Sequence, residues 1–311
     1  IIKEKGLQNY GWSVIEIDDP WTNQPDKNDA VWYQLQSGGK AIYGYYEGPD
    51  NLLERQGQMR NSKGELLPNT FFTNIKKFPT IMHEMGFKAG IYSSPGPLTC
   101  AGVAGSYGYE LVDAKFFADN GFDYLKYDYC HAPVDVETAK LRYKKMADAL
   151  RNSGREIVFG ICEWGPRKPW LWAAAVGGQL WRSTYDIRDK WKNLSANENA
   201  EGILDILDIN AALHEYAGIG KWNDADMLVT GLYGKKGPSG DLGGTGCTDT
   251  EYQTQFSLWA IMNAPLYATN DLRNMNEATK SILLNKEVIA LNQDALGKQA
   301  IRKIKNDVWN V

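Results

Sequence analysis

The sequence contains no run of about 18 consecutive apolar residues, so a membrane-spanning helix is not expected. Three histidines (His83, His131, His214) and four cysteines (Cys100, Cys130, Cys162, Cys247) include no C-x-x-C pair. A zinc or thiol-redox centre is therefore not expected, and neither is a disulfide-dense scaffold. No glycine-rich dinucleotide fingerprint follows the first strand pattern, which weighs against a dinucleotide-binding sheet. Neither sign of charge predominates, with 34 Lys and Arg against 38 Asp and Glu. A net charge of −4 gives no basic footprint for nucleic acid or an anionic membrane. No secretory leader is visible.

What is present is an ordinary globular composition over 311 residues, 43% hydrophobic and 23% charged, enough for one large domain or two ordinary ones. Aromatics are plentiful, with 11 Trp and 17 Tyr. Core packing accounts for many, and flat rings also suit the apolar faces of sugars.

Strand patterns, most of them nearly continuous apolar runs of the kind buried on both faces, occupy residues 12–18, 88–94, 123–128, 157–163, 180–187, 219–226 and 266–271. Helical patterns lie between them, at 74–85, 106–120, 136–153, 169–176, 201–217 and 251–262, with a last one at 285–294. Gly86, Gly121 and Gly154 stand where helix C-caps belong. This is an α/β chain of parallel βα units, and their number favours a (β/α)8 TIM barrel over an open sheet. The chain opens on a helix-like segment, 1–10, so the first strand is expected upstream of residue 1. Residues 22–70 form a long polar insertion on the side where barrel active sites lie. Residues 299–304 and 307–311 read as β. The expected division is a catalytic barrel over 1–296 and the beginning of an antiparallel all-β domain over 297–311.

Acids end these strands: Asp18 and Asp19, then Asp128, Glu163, Asp186, Asp226 and Asp271. In a parallel barrel such ends meet at one mouth. Gathering acids there costs several kcal/mol unless cations or ligand hydroxyls compensate, and Lys126 and Arg182 are the available cations. Asp271, before Leu-Arg-Asn, fits a local helix cap as well as a site. Lys126 and Asp128 lie two apart and share a strand face, so the ammonium should keep Asp128 ionised, as a carboxylate nucleophile requires. Two carboxyls in different charge states can hydrolyse an acetal without metal or cofactor.

The runs Gly90-Ile91-Tyr92-Ser93-Ser94-Pro95-Gly96 to Cys100 and Tyr124-Leu125-Lys126-Tyr127-Asp128-Tyr129-Cys130 resemble glycoside hydrolase family 27, the retaining α-galactosidase (melibiase) family of clan D, in a bacterial-type member. Asp18-Asp19, Cys162-Glu163-Trp164, Trp181 to Ile187, Trp222 to Met227, Ala260 to Leu266 and Asn292-Gln293-Asp294 continue the likeness in order along nearly the whole chain. Residues 22–70, with Tyr43, Tyr45 and Tyr46, are poorly covered by it. The resemblance implies Asp128 as nucleophile and Asp186 as acid/base. It implies Asp18 and Asp19 as acceptors for the sugar's 4- and 6-hydroxyls, and Lys126 at the 3- and 4-hydroxyls. Arg182 and Glu163 fall near the 2-position. Tyr92, Trp164, Asp226 and Met227 would line the pocket, beside a Cys100–Cys130 disulfide. Cys162 is expected to be a free buried thiol, because Gly178 stands where the family's partner cysteine falls. Pro20 replaces a cysteine that usually follows the acid pair.

The implied function is an exo-acting retaining α-galactosidase that works through a covalent galactosyl–Asp128 intermediate, with an α-galactoside-containing carbohydrate as its partner. The two carboxyls are then expected about 5–5.5 Å apart. The alternatives are an α-N-acetylgalactosaminidase, a β-L-arabinopyranosidase, an isomaltodextranase-like enzyme, or a non-catalytic carbohydrate-binding barrel. Glu163-Trp164 is bulkier than the small residues that open the 2-position for N-acetylgalactosamine, and both acids of the Asp18-Asp19 pair are retained. A Cys100–Cys130 disulfide would favour a secreted or periplasmic location.

Overall fold

The structure is a computed structural model that describes residues 6–23, 59–194, 201–235, 244–304 and 308–310. Most of the 22–70 insertion, including Tyr43, Tyr45 and Tyr46, lies outside the described residues, as do 1–5 and 305–307. The chain divides into two compact units.

The first unit comprises residues 13–162 and 172–179. Four strands, β1 (Val14–Glu16), β2 (Lys88–Ser93), β3 (Tyr124–Asp128) and β4 (Val158–Cys162), pair side by side in chain order, all parallel. Their register sets Glu16 against Gly90, Gly90 against Tyr124, and Asp128 against Cys162. Between them run α1 (Lys77–Glu84), α2 (Glu110–Asn120) and α3 (Val136–Arg151). Strand β2 is buried after its first residue, as an interior strand of a parallel sheet is. Tyr127, Tyr143 and Phe159 pack with ring centroids 5.6–6.2 Å apart, at the separations aromatic pairs prefer. Helix α2 stops at Gly121, whose φ of 91° few other residues adopt. Asp135 starts α3 by accepting the Thr138 N–H at 2.7 Å. At the N-terminal end of β3, Asp123 is clamped by His83 and Arg155, both at 2.6 Å.

The second unit comprises residues 1–12, 163–171 and 180–311. Two short strands, β5 (Leu180–Arg182) and β6 (Trp222–Asp224), pair in parallel. Around them are α4 (Ile203–Ala211), α5 (Asp249–Ile261), α6 (Glu277–Leu283) and α7 (Lys286–Asn292). Ile203, Ile206, Leu228, Tyr252, Trp259 and Leu283 form the centre of its core. A reciprocal capping box, Thr248 with Glu251, opens α5. Strands β7 (Ile301–Ile304) and β8 (Val308–Asn310) pair antiparallel.

Several expected elements are altered. β5 ends at Arg182 rather than residue 187, because the polar run after it turns so that Arg182 reaches Asp186. Residues 266–271 form a single parallel bridge, Leu228 to Ala268, rather than a strand. Residues 169–176 form only a 3-10 turn, Pro169–Leu171. At the start, the described part of the helix-like segment is a 3-10 turn, Leu7–Tyr10. Helix α6, capped by Asn276, was not anticipated.

Candidate active site

In the first unit, the C-terminal ends of β1, β2 and β3 bring Asp18, Asp19, Tyr92, Lys126 and Asp128 into one cluster. Lys126 is the third residue of β3 and Asp128 its last. The Lys126 ammonium donates to Asp18 Oδ2 at 2.8 Å. Burial alone would lower the Lys126 pKa, but Asp18 foremost, with Asp128 and Glu16, holds it well above its ordinary value. The lysine thus stays charged. Asp18 is a direct partner of the ammonium, and the Asp128 charge acts on it as well.

Asp128 is buried and accepts the Tyr92 hydroxyl at 3.1 Å. Burial, and then the Asp128, Asp19 and Asp18 charges, push the Tyr92 pKa well up. The phenol therefore remains a donor and orients the Asp128 carboxylate. Tyr92 is held in turn by Trp21, whose indole N–H donates to the Tyr92 carbonyl at 2.8 Å. Lys126 also sits 5.3 Å from the Tyr92 ring centroid, within cation–π range.

Asp19 accepts the Thr99 hydroxyl at 2.9 Å and the Ala101 N–H at 2.7 Å. Burial raises its pKa to about 7 against these two bonds, with Asp18 and Asp128 pushing the same way. Cys100 and Cys130 form a disulfide. Donor atoms of Cys100, Asp128 and Cys130 lie within 4.8 Å of one another. Both sulfurs are spent in the disulfide, which leaves a single carboxylate and no ligand set for a divalent ion. Cys162 is buried and outside the disulfide, as expected. A Cβ at Gly178 would meet the tip of the Ile161 side chain at 2.5 Å.

In the second unit, Arg182 organises the acids. It is almost wholly buried and donates to Asp186 at 2.7 Å and to Asp226 at 2.9 Å. Asp226 is enclosed, whereas the Asp186 side chain is 67% exposed. Asp226 also accepts the N–H groups of Ile187 and Met227, both at 2.7 Å. Burial raises its pKa, Arg182 opposes the rise, and Asp186 adds to it. The Asp226 backbone sits at φ 70° and that of Trp164 at φ 61°. Left-handed conformations at bulky residues cost about 1–3 kcal/mol and cluster at functional sites. Met227 and Trp164 are half-buried.

The Glu163 carboxylate, just after β4, is fully enclosed and ion-paired to Arg167. Asp271 is chelated by Arg273 through its backbone and side chain and belongs to a local surface turn. Two contributors were not anticipated. Thr99 grips Asp19, and its one signal is its place beside Cys100. Glu201 pairs its backbone with the Asp186–Arg188 segment, and burial lifts its carboxyl to about 7, with Asp205 raising and Arg182 lowering it. Nothing in its sequence context marks it.

Parallel βα units with carboxylates at or just beyond the strand ends and buried cations on the strands define the (β/α)8-barrel class of glycoside hydrolases. The profile described as alpha galactosidase A (Melibiase_2) matches residues 41–294, and the chain belongs to this family, glycoside hydrolase family 27. Alpha-galactosidase A of Cellvibrio japonicus is 39% identical, an alignment covering 96% of this chain and 62% of that protein. Alpha-galactosidase 2 of Arabidopsis thaliana is 43% identical, covering 88% and 65%. Among solved structures, the Saccharomyces cerevisiae α-galactosidase with raffinose matches with a TM-score of 0.78 at 29% identity, covering 97% of this chain and 60% of that one. The chain thus spans less than two thirds of the length of these relatives.

Proposed function

We propose that the protein is a retaining exo-α-galactosidase, acting on terminal α-D-galactosyl groups of an oligo- or polysaccharide. Asp128 attacks the anomeric carbon while Asp186 gives its proton to the departing glycosidic oxygen, which leaves a galactosyl ester on Asp128. Asp186, now a carboxylate, then takes a proton from water. That water opens the ester, releases galactose with net retention and returns Asp128 to its ionised form. Tyr92, a fixed donor, orients the attacking carboxylate. The Lys126–Asp18 pair and Asp19 offer one donor and two acceptors to the hydroxyls that distinguish galactose. Arg182 holds Asp186; Asp226, Met227 and Trp164 are assigned to sugar binding, and the Cys100–Cys130 disulfide adjoins Asp128.

The observation that carries this reading is the Tyr92–Asp128 bond beside a charged Lys126, in a chain of the alpha galactosidase A family. The retained Asp18-Asp19 pair and the named activities of the relatives support galactose over other sugars. The proposed location is secreted or periplasmic, which the disulfide supports. No helix among the described residues is long and apolar enough to cross a membrane.

The test is hydrolysis of aryl α-galactoside, α-N-acetylgalactosaminide, α-glucoside and β-L-arabinopyranoside by the full-length protein. The α-galactoside should be preferred, and Asp128→Asn should lose at least about a thousandfold in kcat, the scale seen when a group acting in the transition state is removed. Near-normal turnover by Asp128→Asn would sink the assignment.

A further inference from the structure

Asp19 is partly buried among groups of its own sign. Asp18 adjoins it and Asp128 acts on it through space, while the Tyr92 phenol feels its charge. The Lys126 ammonium is engaged by Asp18. What holds the Asp19 carboxylate in this setting is a small hairpin at 98–104. Leu98 and Ala104 bridge antiparallel, the Thr99 N–H donates to the Val103 carbonyl at 2.8 Å, and the Gly102 N–H donates to the Thr99 carbonyl at 2.9 Å. From its tip, the Thr99 hydroxyl takes one Asp19 oxygen and the Ala101 N–H takes the other.

The direction of the Thr99 hydroxyl is fixed. Its oxygen accepts the Val103 N–H at 3.3 Å, so its single proton is left for Asp19. The side chain is 2% exposed, and water cannot readily substitute for it. The hairpin is also tied to the strand carrying Asp128. Cys100 is bonded to Cys130, two residues beyond Asp128. Gly96 and Gly105 let the backbones meet beneath it: a Cβ on Gly96 would lie 2.1 Å from the Cys130 carbonyl oxygen, and one on Gly105 2.1 Å from the Gly96 carbonyl oxygen.

We propose that Thr99 is a positioning residue of the sugar site, which with the Ala101 amide fixes both oxygens of Asp19 and, through the adjoining disulfide, registers that acceptor against Asp128. This rests on the α-galactosidase reading above. The Thr99 bond does two things for Asp19. It sets the angle at which the remaining lone pairs meet a sugar hydroxyl. It also favours the ionised form against burial and against the charges of Asp18 and Asp128. A neutral Asp19 would be a poorer acceptor, so the hydroxyl governs how far into the acid range the site can bind.

Thr99→Val keeps the shape and removes the hydroxyl; Thr99→Ser keeps the hydroxyl. With an aryl α-galactoside and the full-length protein, Thr99→Val should lower kcat/KM roughly ten- to a hundredfold, the scale of one hydrogen bond to a charged group. The loss should fall mainly in KM. The acid limb of the kcat/KM profile should move to higher pH, because Asp19 would protonate sooner. Thr99→Ser should restore most of the loss and return the acid limb. Urea unfolding of each variant identifies a folding defect. A folded Thr99→Val with unchanged kcat/KM and an unmoved acid limb would overturn the inference while leaving the α-galactosidase reading intact. A wild-type protein that hydrolyses no α-galactoside would overturn both.

Discussion

Replacing Arg182 by leucine should destabilise the protein in a pH-dependent way. Arg182 is the cation beside the enclosed Asp226, at 2.9 Å. A pair of unit charges about 4 Å apart interacts by about 4 kcal/mol at an effective dielectric near 20. Breaking a buried pair typically costs about 3–5 kcal/mol. Asp226 keeps its bonds from the Ile187 and Met227 N–H groups in the variant, so the lower end, about 3 kcal/mol, is expected at pH 8. The second bond, to the largely exposed Asp186, adds little after solvent screening, under about 1 kcal/mol. Protonation of Asp226 limits the loss. Its folded pKa is raised by burial, and Arg182 opposes that rise. Without Arg182 it rises further above the unfolded value near 3.9. The folded variant then binds more protons than the unfolded chain over that interval, so its stability falls as pH rises from about 4 through the folded pKa, by up to about 1.4 kcal/mol per unit. Urea unfolding at pH 4.5 and pH 8 should show a small deficit at the lower pH and the larger one at the higher. Arg182→Leu with Asp226→Asn should recover most of it, since the stranded charge is gone. A deficit below about 1 kcal/mol at pH 8, or one equal at both pH values, would refute the compensation argument.

Two further outcomes follow from the first unit. Replacing both Cys100 and Cys130 by alanine frees a loop with a sequence separation of 30. The chain-entropy relation gives a loss of about 3.6 kcal/mol, and the aryl α-galactoside KM should rise because the hairpin that holds Asp19 loses its tether; an unchanged unfolding midpoint would contradict this. Asp123 has a lowered pKa: burial opposes the shift, but the Ala89 N–H, His83 and Arg155 outweigh it. A carboxyl with a depressed folded pKa contributes stability above its unfolded pKa near 3.9 and loses it as pH falls through the folded value. Asp123→Asn should therefore be less stable than wild type at pH 7, with the gap closing below about pH 4, as acid-unfolding curves would show.

Much of the fold was legible because burial on both faces leaves a strong mark. β2, β3 and β4 appear within a residue of their apolar runs, and Gly121 caps α2 where a left-handed residue was needed. β5 and β6 shrank because pattern alone does not show where side chains begin to bond across turns. The Arg182–Asp186 contact ends one strand, and the other is bounded by the Gly218–Lys221 bridge before it and left-handed Asp226 after it. Residues 266–268 open as apolar as a strand, yet the segment meets Leu228 through a single bridge at Ala268 before the polar Thr269-Asn270-Asp271 run. Helix α6 was missed although Asn276 marks its start, because its seven residues are too few for a clear period.

By itself, the sequence determined the kinds of group available and their order: carboxylates just past strand ends, two interior cations, a cysteine pair, and parallel βα units to carry them. Those follow from local rules, the alternation of apolar runs with caps and turns. The tertiary structure alone decided which groups meet. Lys126 lies two residues from Asp128 but bonds Asp18, 108 positions away. Glu163, at a strand end like the others, turns inward to Arg167. Thr99 acquires a task because a hairpin and a disulfide carry its hydroxyl to Asp19. Coulomb energy and hydrogen-bond geometry depend on distances of a few ångströms, and separation along the chain does not encode them.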